Sequence, residues 1–425
     1  MLKILIINNI DDINSKTITH FSLDKGLYLG HGLKANGHDV YFVTNIDSYI
    51  DIIKFINIKE ANIEFLNTCD LIIIIREAEI ENILESYNDL KNVFLKKHST
   101  KSKIMIKSDS TKWISNKEFR KYLSKELKIN GSQNSITQWI NKNINYICVQ
   151  NEELKIDAIK NGVINNRIII SNMSIPKNIE FNIKDSINPY DINHSYCKSN
   201  YKALNFGDGL YPKYYEDNPD KLIEFNKKKN IIIYTGRIKT DNGKTIYLMR
   251  EIMDILGNDY ELHIFPGSFY LNINNNILKC SAKNIAHLLL LRDNIFKDNK
   301  NVIIHYPYEH KYGYKYLYHA TCGIDFSPSR PKNEKSLAGN AKLLEYCSMG
   351  LPVVCEKNAN NSFLVKNAGN GILINGIGVA DDYVKAIKML CSVKVDRMLC
   401  RKITVDNENW DIRAKELIKS ILDKK

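Results

Sequence analysis

The run from Asn340 to Cys355, NAKLLEYCSMGLPVVC, holds a single carboxylate, Glu345, among residues that are otherwise mostly small or apolar. Asn340 is a capping type, Gly350 a helix terminator, and Pro352 leads into an apolar run. The spacing therefore predicts a short helix followed by a buried strand. A helix start offers unpaired N–H groups and the positive end of the dipole, both suited to phosphate. A carboxylate one turn further in can accept hydrogen bonds from ribose hydroxyls. An ordinary helix–turn–strand unit of an α/β domain would read the same way, so the flanking residues decide.

Those residues are chemically pointed. Tyr234-Thr235-Gly236-Arg237-Ile238 follows an apolar run directly. A glycine there permits a tight strand exit, and an arginine at that exit can fork onto a diphosphate. Lys239 and Lys244 stand close enough to add a second positive charge. The run Ser336-Leu337-Ala338-Gly339-Asn340 lies at the mouth of the expected helix, where hydroxyls and backbone N–H groups can hold phosphates. In the first half, Lys107-Ser108-Asp109 follows an apolar run and sets a carboxylate at a strand end. Asp109 there is either a general base for a hydroxyl or a helix-capping turn residue. Arg76 and Glu77 form a similar strand-end pair, equally readable as a structural ion pair. Tyrosines from Tyr306 to Tyr318, interleaved with Lys311 and Lys315, can stack bases or sugars, or fill a half-buried helix.

Short apolar runs alternating with amphipathic stretches must position these groups. In the first half the expected strands are 3–7, 40–43, 71–75, 103–106, 146–149 and 167–170, with helices near 23–36, 79–96, 136–142 and 152–161. Residues 175–229 break the rhythm and are rich in Asn, Asp, Pro, Tyr and Lys, as a connection would be, with a short helix at 220–228. Alternation resumes with strands at 231–234, 261–265, 302–305, 322–326, 352–355 and 371–374. Helices fit at 243–256, 282–289, 314–319, 341–348 and 381–389, and an amphipathic helix at 408–423 ends the chain. This alternation implies parallel sheets covered by helices on both faces.

At 425 residues the chain suits two domains, and 44% hydrophobic content supports a core in each. Apolar runs are strand-sized, so no segment is expected to span a membrane, and residues 1–8 read as a first strand rather than a signal peptide. The nine cysteines show no C-x-x-C spacing and the ten histidines no metal-binding cluster, which suits reduced thiols in the cytoplasm. A net charge of +12 is compatible with nucleic acid, anionic lipid or a nucleotide diphosphate.

Taken together, Gly236-Arg237 with Gly243, the run CGIDFSPS from Cys322 to Ser329, and the run from Asn340 to Cys355 resemble the motifs of group 1 glycosyltransferases. That family contains glycogen synthase and many bacterial surface-sugar enzymes. The resemblance implies an α/β chain of GT-B fold, two doubly wound Rossmann-like domains facing across a cleft and closed by a C-terminal helix. Residues 1–205 would form the acceptor-side domain, 206–407 the donor domain and 408–425 the helix. It further implies transfer of a sugar from a nucleoside diphosphate sugar to a hydroxyl, with no metal needed for the leaving group. Arg237, with Lys239 or Lys244, would neutralise the leaving diphosphate; Gly236, Ser336, Gly339, Asn340 and Lys342 would frame the donor, and Glu345 would grip its ribose.

Two positions depart from the family pattern. Asn242 stands where the family has a lysine, and Leu337 where it often has a first glutamate, with Glu334 nearby but out of register. The first half is also similar to the phage DNA β-glucosyltransferase, in the run Lys101-Ser102-Lys103-Ile104 and the aspartate that follows, matched by Asp109. The expected acceptor is a bacterial surface glycan or its lipid-linked precursor, reached in the cytoplasm or at the inner face of the membrane. Modified pyrimidines in duplex DNA are the alternative. A non-catalytic protein that binds a nucleotide sugar or nucleic acid on the same fold is the third reading.

Overall fold

A computed structural model describes residues 1–7, 26–43, 53–75, 80–96, 100–108, 111–175, 177, 230–238, 244–273, 276–282, 284–305, 310–326, 341–375 and 379–424. They fall into two compact units, one built from Met1–Lys177 and Asn407–Lys425, the other from described residues between them.

The first unit is a parallel sheet of β1 (Lys3–Ile7), β2 (Asp39–Val43), β3 (Lys54–Ile56), β4 (Leu71–Ile75), β5 (Lys103–Lys107), β6 (Tyr146–Val149) and β7 (Ile168–Ile170). Their order is β3-β2-β1-β4-β5-β6-β7, and every pairing is parallel. Helices cover both faces, so the central strands are unbroken apolar runs: LIIII in β4 is buried at every position. The helix Trp410–Leu422 joins this unit, capped by the Asn409 side chain, which accepts from the Ile412 N–H at 3.0 Å. Its Trp410, Ala414, Leu417, Ile418 and Ile421 share a core cluster with Leu29 and Leu33 of the helix Tyr28–Ala35. The two helices pack so closely that a Cβ at Gly32 would stand 2.3 Å from the Trp410 carbonyl oxygen. A parallel bridge from Ile175 to Asn409 ties the end of the chain to the same unit.

The second unit repeats the plan with β8 (Asn230–Gly236), β9 (Tyr260–Pro266), β12 (Val302–Ile304), β13 (Cys322–Asp325), β14 (Val353–Glu356) and β15 (Gly371–Ile374). The order is β12-β9-β8-β13-β14-β15, again all parallel. Strand order reverses between β8 and β13, and ligands of such sheets bind at the carboxyl ends of the strands flanking that switch. An antiparallel hairpin, β10 (Ser268–Ile273) with β11 (Asn276–Ser281), follows β9.

The sheets match the expected strands, and several smaller elements differ. The stretch expected as one helix over 79–96 is two, Ile80–Ser86 and Asn88–Phe94. Tyr87 leaves helical geometry between them, at φ −127° and ψ 85°, where its buried hydroxyl donates to the Ala61 carbonyl. The edge strand β3, the hairpin and the charged helix Lys117–Leu127 add to the expected elements. The expected helix at 220–228 lies outside the described residues.

A buried polar chain joins β9 to the residue that follows β12. His263 Nδ1 stands 2.8 Å from His305 Nε2, and His263 Nε2 lies 3.4 Å from a carboxylate oxygen of buried Glu261. The His305 ring stacks on Phe265 with centroids 4.1 Å apart, and Tyr316 packs beside both. One ring nitrogen of the pair must accept, so both imidazoles cannot be cations. Burial, with His263 adding to it, holds His305 well below the ordinary 6.5. Burial also lowers His263, against the opposing pull of Glu261. A base with a depressed folded value binds its proton more readily when unfolded, so its stabilisation is present above 6.5 and is lost on acidification. A His305 that stays neutral contributes a loss of up to about 2 kcal/mol between pH 7 and pH 5. Urea unfolding of the wild type and His305→Asn at both pH values measures this; equal losses in the two proteins would refute it.

Candidate active site at the β8–β13 switch

β8 ends on Gly236, whose φ of +88° is a conformation side chains rarely adopt. The chain leaves extended geometry at this turn, and Arg237 after it is exposed to solvent. The turn is fixed from several sides. The Tyr234 hydroxyl donates to the Arg237 carbonyl at 2.9 Å. The Gly267 N–H donates to the Gly236 carbonyl at 2.9 Å, and the Ile238 N–H to the Ser268 carbonyl at 3.0 Å. A Cβ at Gly267 would come within 3.2 Å of the Arg237 nitrogen, so the base of the hairpin is seated against the turn.

The helix Ala341–Ser348 approaches the same strand ends. Lys342 Nζ lies 2.8 Å from Asp325 Oδ1 at the end of β13 and 3.9 Å above the centre of the Tyr234 ring. The pair is withdrawn from water, with side chains 13% and 2% exposed. Burial works against the ammonium, but the Asp325 carboxylate, with Tyr234 and Tyr346 beside it, outweighs burial and raises the Lys342 pKa above its ordinary value. The Tyr346 hydroxyl accepts from the Thr235 N–H at 2.9 Å and lies 3.3 Å from Thr235 Oγ1, joining the helix to the last turn of β8. Burial pushes that phenol up, against the pull of Lys342, so it stays protonated. Gly323 makes this seating possible: a Cβ there would meet the Tyr346 ring at 2.7 Å. Glu345, half-buried, follows Lys342 by three residues and so shares its helix face. Gly350 ends the unit at φ +62°, where a Cβ would stand 1.9 Å from the Arg397 carbonyl oxygen.

Of the residues expected at a site, Gly236, Arg237, Lys342 and Glu345 are described. Gly236 and Lys342 come together: the nearest atom to a Cβ on the glycine is Lys342 Cε, at 3.6 Å. Lys244 is also described and opens the helix Lys244–Leu256. Asp109, Lys239, Ser336, Gly339 and Asn340 lie outside the described residues, as do Arg76, Glu77 and Gly243. Asp325, Thr235, Tyr346 and Gly267 are positioning residues that sequence reasoning did not single out. Asp325 and Tyr346 do lie within the quoted motif runs, which was the available signal.

No protein-family model and no curated protein matches the sequence. Solved structures do match, over the full chain. HepE from Anabaena, in complex with UDP-glucose, is similar at 9% identity with a TM-score of 0.59, covering 100% of both chains. Sucrose-phosphate synthase from Thermosynechococcus elongatus is similar at 13% identity and a TM-score of 0.55, covering 100% of this chain and 97% of its own. The fold is GT-B. The lipopolysaccharide outer core galactosyltransferase WaaB, in its apo form, shares it at 13% identity and a TM-score of 0.54 over 100% of both chains. On the GT-B fold, Arg237, the Lys342–Asp325 pair and Glu345 occupy the switch-point end of one sheet. Among the described residues no helix is long and apolar enough to cross a membrane, and no cluster of His, Cys, Asp or Glu is placed to hold a metal.

Proposed function

We propose that this chain is a glycosyltransferase that moves a sugar from a nucleoside diphosphate sugar to a hydroxyl of a surface glycan or its lipid-linked precursor. The observation that carries the reading is Arg237, presented at a fixed turn where the GT-B sheet reverses its strand order. The glycan acceptor is supported by the likeness to WaaB. In the reaction the acceptor oxygen bonds to the anomeric carbon, and the bond from that carbon to the β-phosphate oxygen breaks. If the reaction inverts the anomeric centre, the acceptor proton passes to a base, for which Asp109 is proposed on its sequence position just after β5. Negative charge grows on the departing diphosphate, so preorganised positive charge there is where stabilisation is largest.

The two described cations contribute differently. Lys342 is neutralised locally by Asp325 at 2.8 Å, which leaves the exposed guanidinium of Arg237 as the principal phosphate partner. Glu345, on the Lys342 face of its helix, is proposed to accept from the ribose hydroxyls. Lys239, Lys244 and the run Ser336 to Asn340 remain in the proposal on their sequence positions.

Calorimetric titration with UDP and other nucleoside diphosphates, followed by release of the diphosphate from the matching sugar donor, tests the reading. Binding with slow donor hydrolysis is the expected result. No affinity for any nucleoside diphosphate or its sugar would sink it, and binding without turnover would favour the non-catalytic reading. The net charge of +12 keeps one other acceptor class in view. Tight binding to hydroxymethylated duplex DNA with a steep salt dependence would move the acceptor from glycan to DNA.

A further inference from the structure

Two consecutive helices in the second unit, and the connection between them, expose two kinds of side chain. The helix Ala380–Ser392 buries Tyr383, Val384, Ala386, Ile387 and Leu390; it exposes Asp381 and Asp382 in its first turn and, further along, Lys385, Lys388 and Met389. After a short connection the helix Arg397–Asn407 begins with Met398, Leu399 and Lys402 exposed. Met389 is 60% exposed, Val393 53%, Met398 53% and Leu399 51%. Single exposed apolar side chains need no explanation, but a run of them interleaved with lysines does.

The charges in this stretch are sorted by direction. The Arg397 guanidinium turns inward, donating to the carbonyls of Gly350 at 3.1 Å, Ala320 at 2.9 Å and Leu317 at 3.1 Å. Arg401 donates to the Ser348 carbonyl at 2.6 Å. The lysines Lys385, Lys388, Lys394 and Lys402 are exposed. Between 385 and 402 the one carboxylate is Asp396, and it is engaged as a cap, accepting from the Leu399 N–H at 3.0 Å.

We propose that this surface docks the protein on an anionic lipid bilayer. Met389, Val393, Met398 and Leu399 enter the headgroup boundary while the lysines meet lipid phosphates, extending their ammonium groups on flexible apolar stems. A protein partner fits less well, because lysine is depleted in protein–protein interfaces. A nucleic acid would use the lysines but leave the methionines and leucine without a role. The inference is independent of the proposed chemistry, since it concerns another part of the unit and needs no donor.

Flotation of the full-length protein with vesicles of phosphatidylcholine alone, and of phosphatidylcholine with phosphatidylglycerol, is the test. Binding to the anionic vesicles and not to the neutral ones is expected. One lysine at an anionic surface is worth roughly fivefold in partitioning, so Lys388→Ala/Lys394→Ala/Lys402→Ala should weaken binding about a hundredfold. Met389→Ser/Met398→Ser/Leu399→Ser should weaken it at the same lysine content. Both variants alter exposed positions and should melt like the wild type, which separates lost docking from lost folding. Equal binding to both vesicles, or variants that float like the wild type, would overturn the proposal. So would a wild-type oligomer that the serine variant converts to monomer, which would make the patch a protein interface.

Discussion

Arg237→Ala is expected to lower turnover by about 10²- to 10³-fold, the usual effect of deleting one preorganised donor to charge developing in the transition state. Its melting temperature should stay near that of the wild type. The side chain is exposed, and the contacts holding the turn are made by backbone: the Gly236 carbonyl, the Ile238 N–H and the Arg237 carbonyl itself. The loss should fall mainly on kcat, because leaving-group charge is greater in the transition state than in the bound donor. Arg237→Lys is expected to recover part of the rate, keeping the charge and losing the bidentate fork. Steady-state kinetics of the three proteins, with a melting curve for each, reads all of this. Turnover of Arg237→Ala within a few-fold of wild type would remove Arg237 from the donor site and leave the switch point as architecture only.

The parts of this arrangement legible in the sequence are those written locally. β4 reads as a buried strand because LIIII has no polar face to offer, and Gly236, Gly350 and Pro352 punctuate their elements at the residues where the chain turns. The parts not legible depend on partners far away in sequence. Nothing near Lys342 says that its ammonium will meet Asp325, or that the Tyr346 hydroxyl will meet Thr235, 111 residues away. The first depends on how the helix Ala341–Ser348 packs back on β13, and the second on laying β8 beside β13, a consequence of strand order rather than of local pattern. The hairpin was hidden for another reason. The sequence joining its two strands belongs to an asparagine-rich run, NINNN, with no glycine to signal a hairpin, and its outer side carries Ser268, Tyr270 and Asn272 opposite Ser281, Lys279 and Ile277. The helix break at Tyr87 is hidden in the same way, since the partner of its hydroxyl, the Ala61 carbonyl, lies 26 residues away.

Lys342→Met should have the opposite signature from Arg237→Ala, a loss of stability first. Methionine keeps the unbranched stem over the Tyr234 ring and removes the charge, so the packing loss is small. What remains is the Asp325 carboxylate, 2% exposed and deprived of its cation at 2.8 Å. Breaking a buried pair from one side costs about 3–5 kcal/mol, far more than an exposed pair is worth. The double variant Lys342→Met/Asp325→Asn, which removes both charges, should recover much of that loss, and the difference between the two variants measures the cost of keeping the Asp325 charge without the Lys342 ammonium. The pH dependence is fixed by the raised Lys342 value. A cation whose folded pKa lies above its ordinary 10.5 gives its full stabilisation below 10.5 and loses it only as pH climbs through the higher folded value. The gap between wild type and Lys342→Met should therefore be constant from pH 7 to 9 in urea unfolding. If Lys342→Met costs less than about 1 kcal/mol, the pair is worth no more than a surface ion pair and does not hold the helix Ala341–Ser348 in place. In that case Lys342 would be available to a phosphate, and the division of labour proposed for the two cations would reverse. The kinetic profile of Lys342→Met decides between those roles. A positioning lysine lowers kcat and weakens the donor together, in step with lost stability, whereas a direct phosphate partner lowers affinity in a protein that still melts like the wild type.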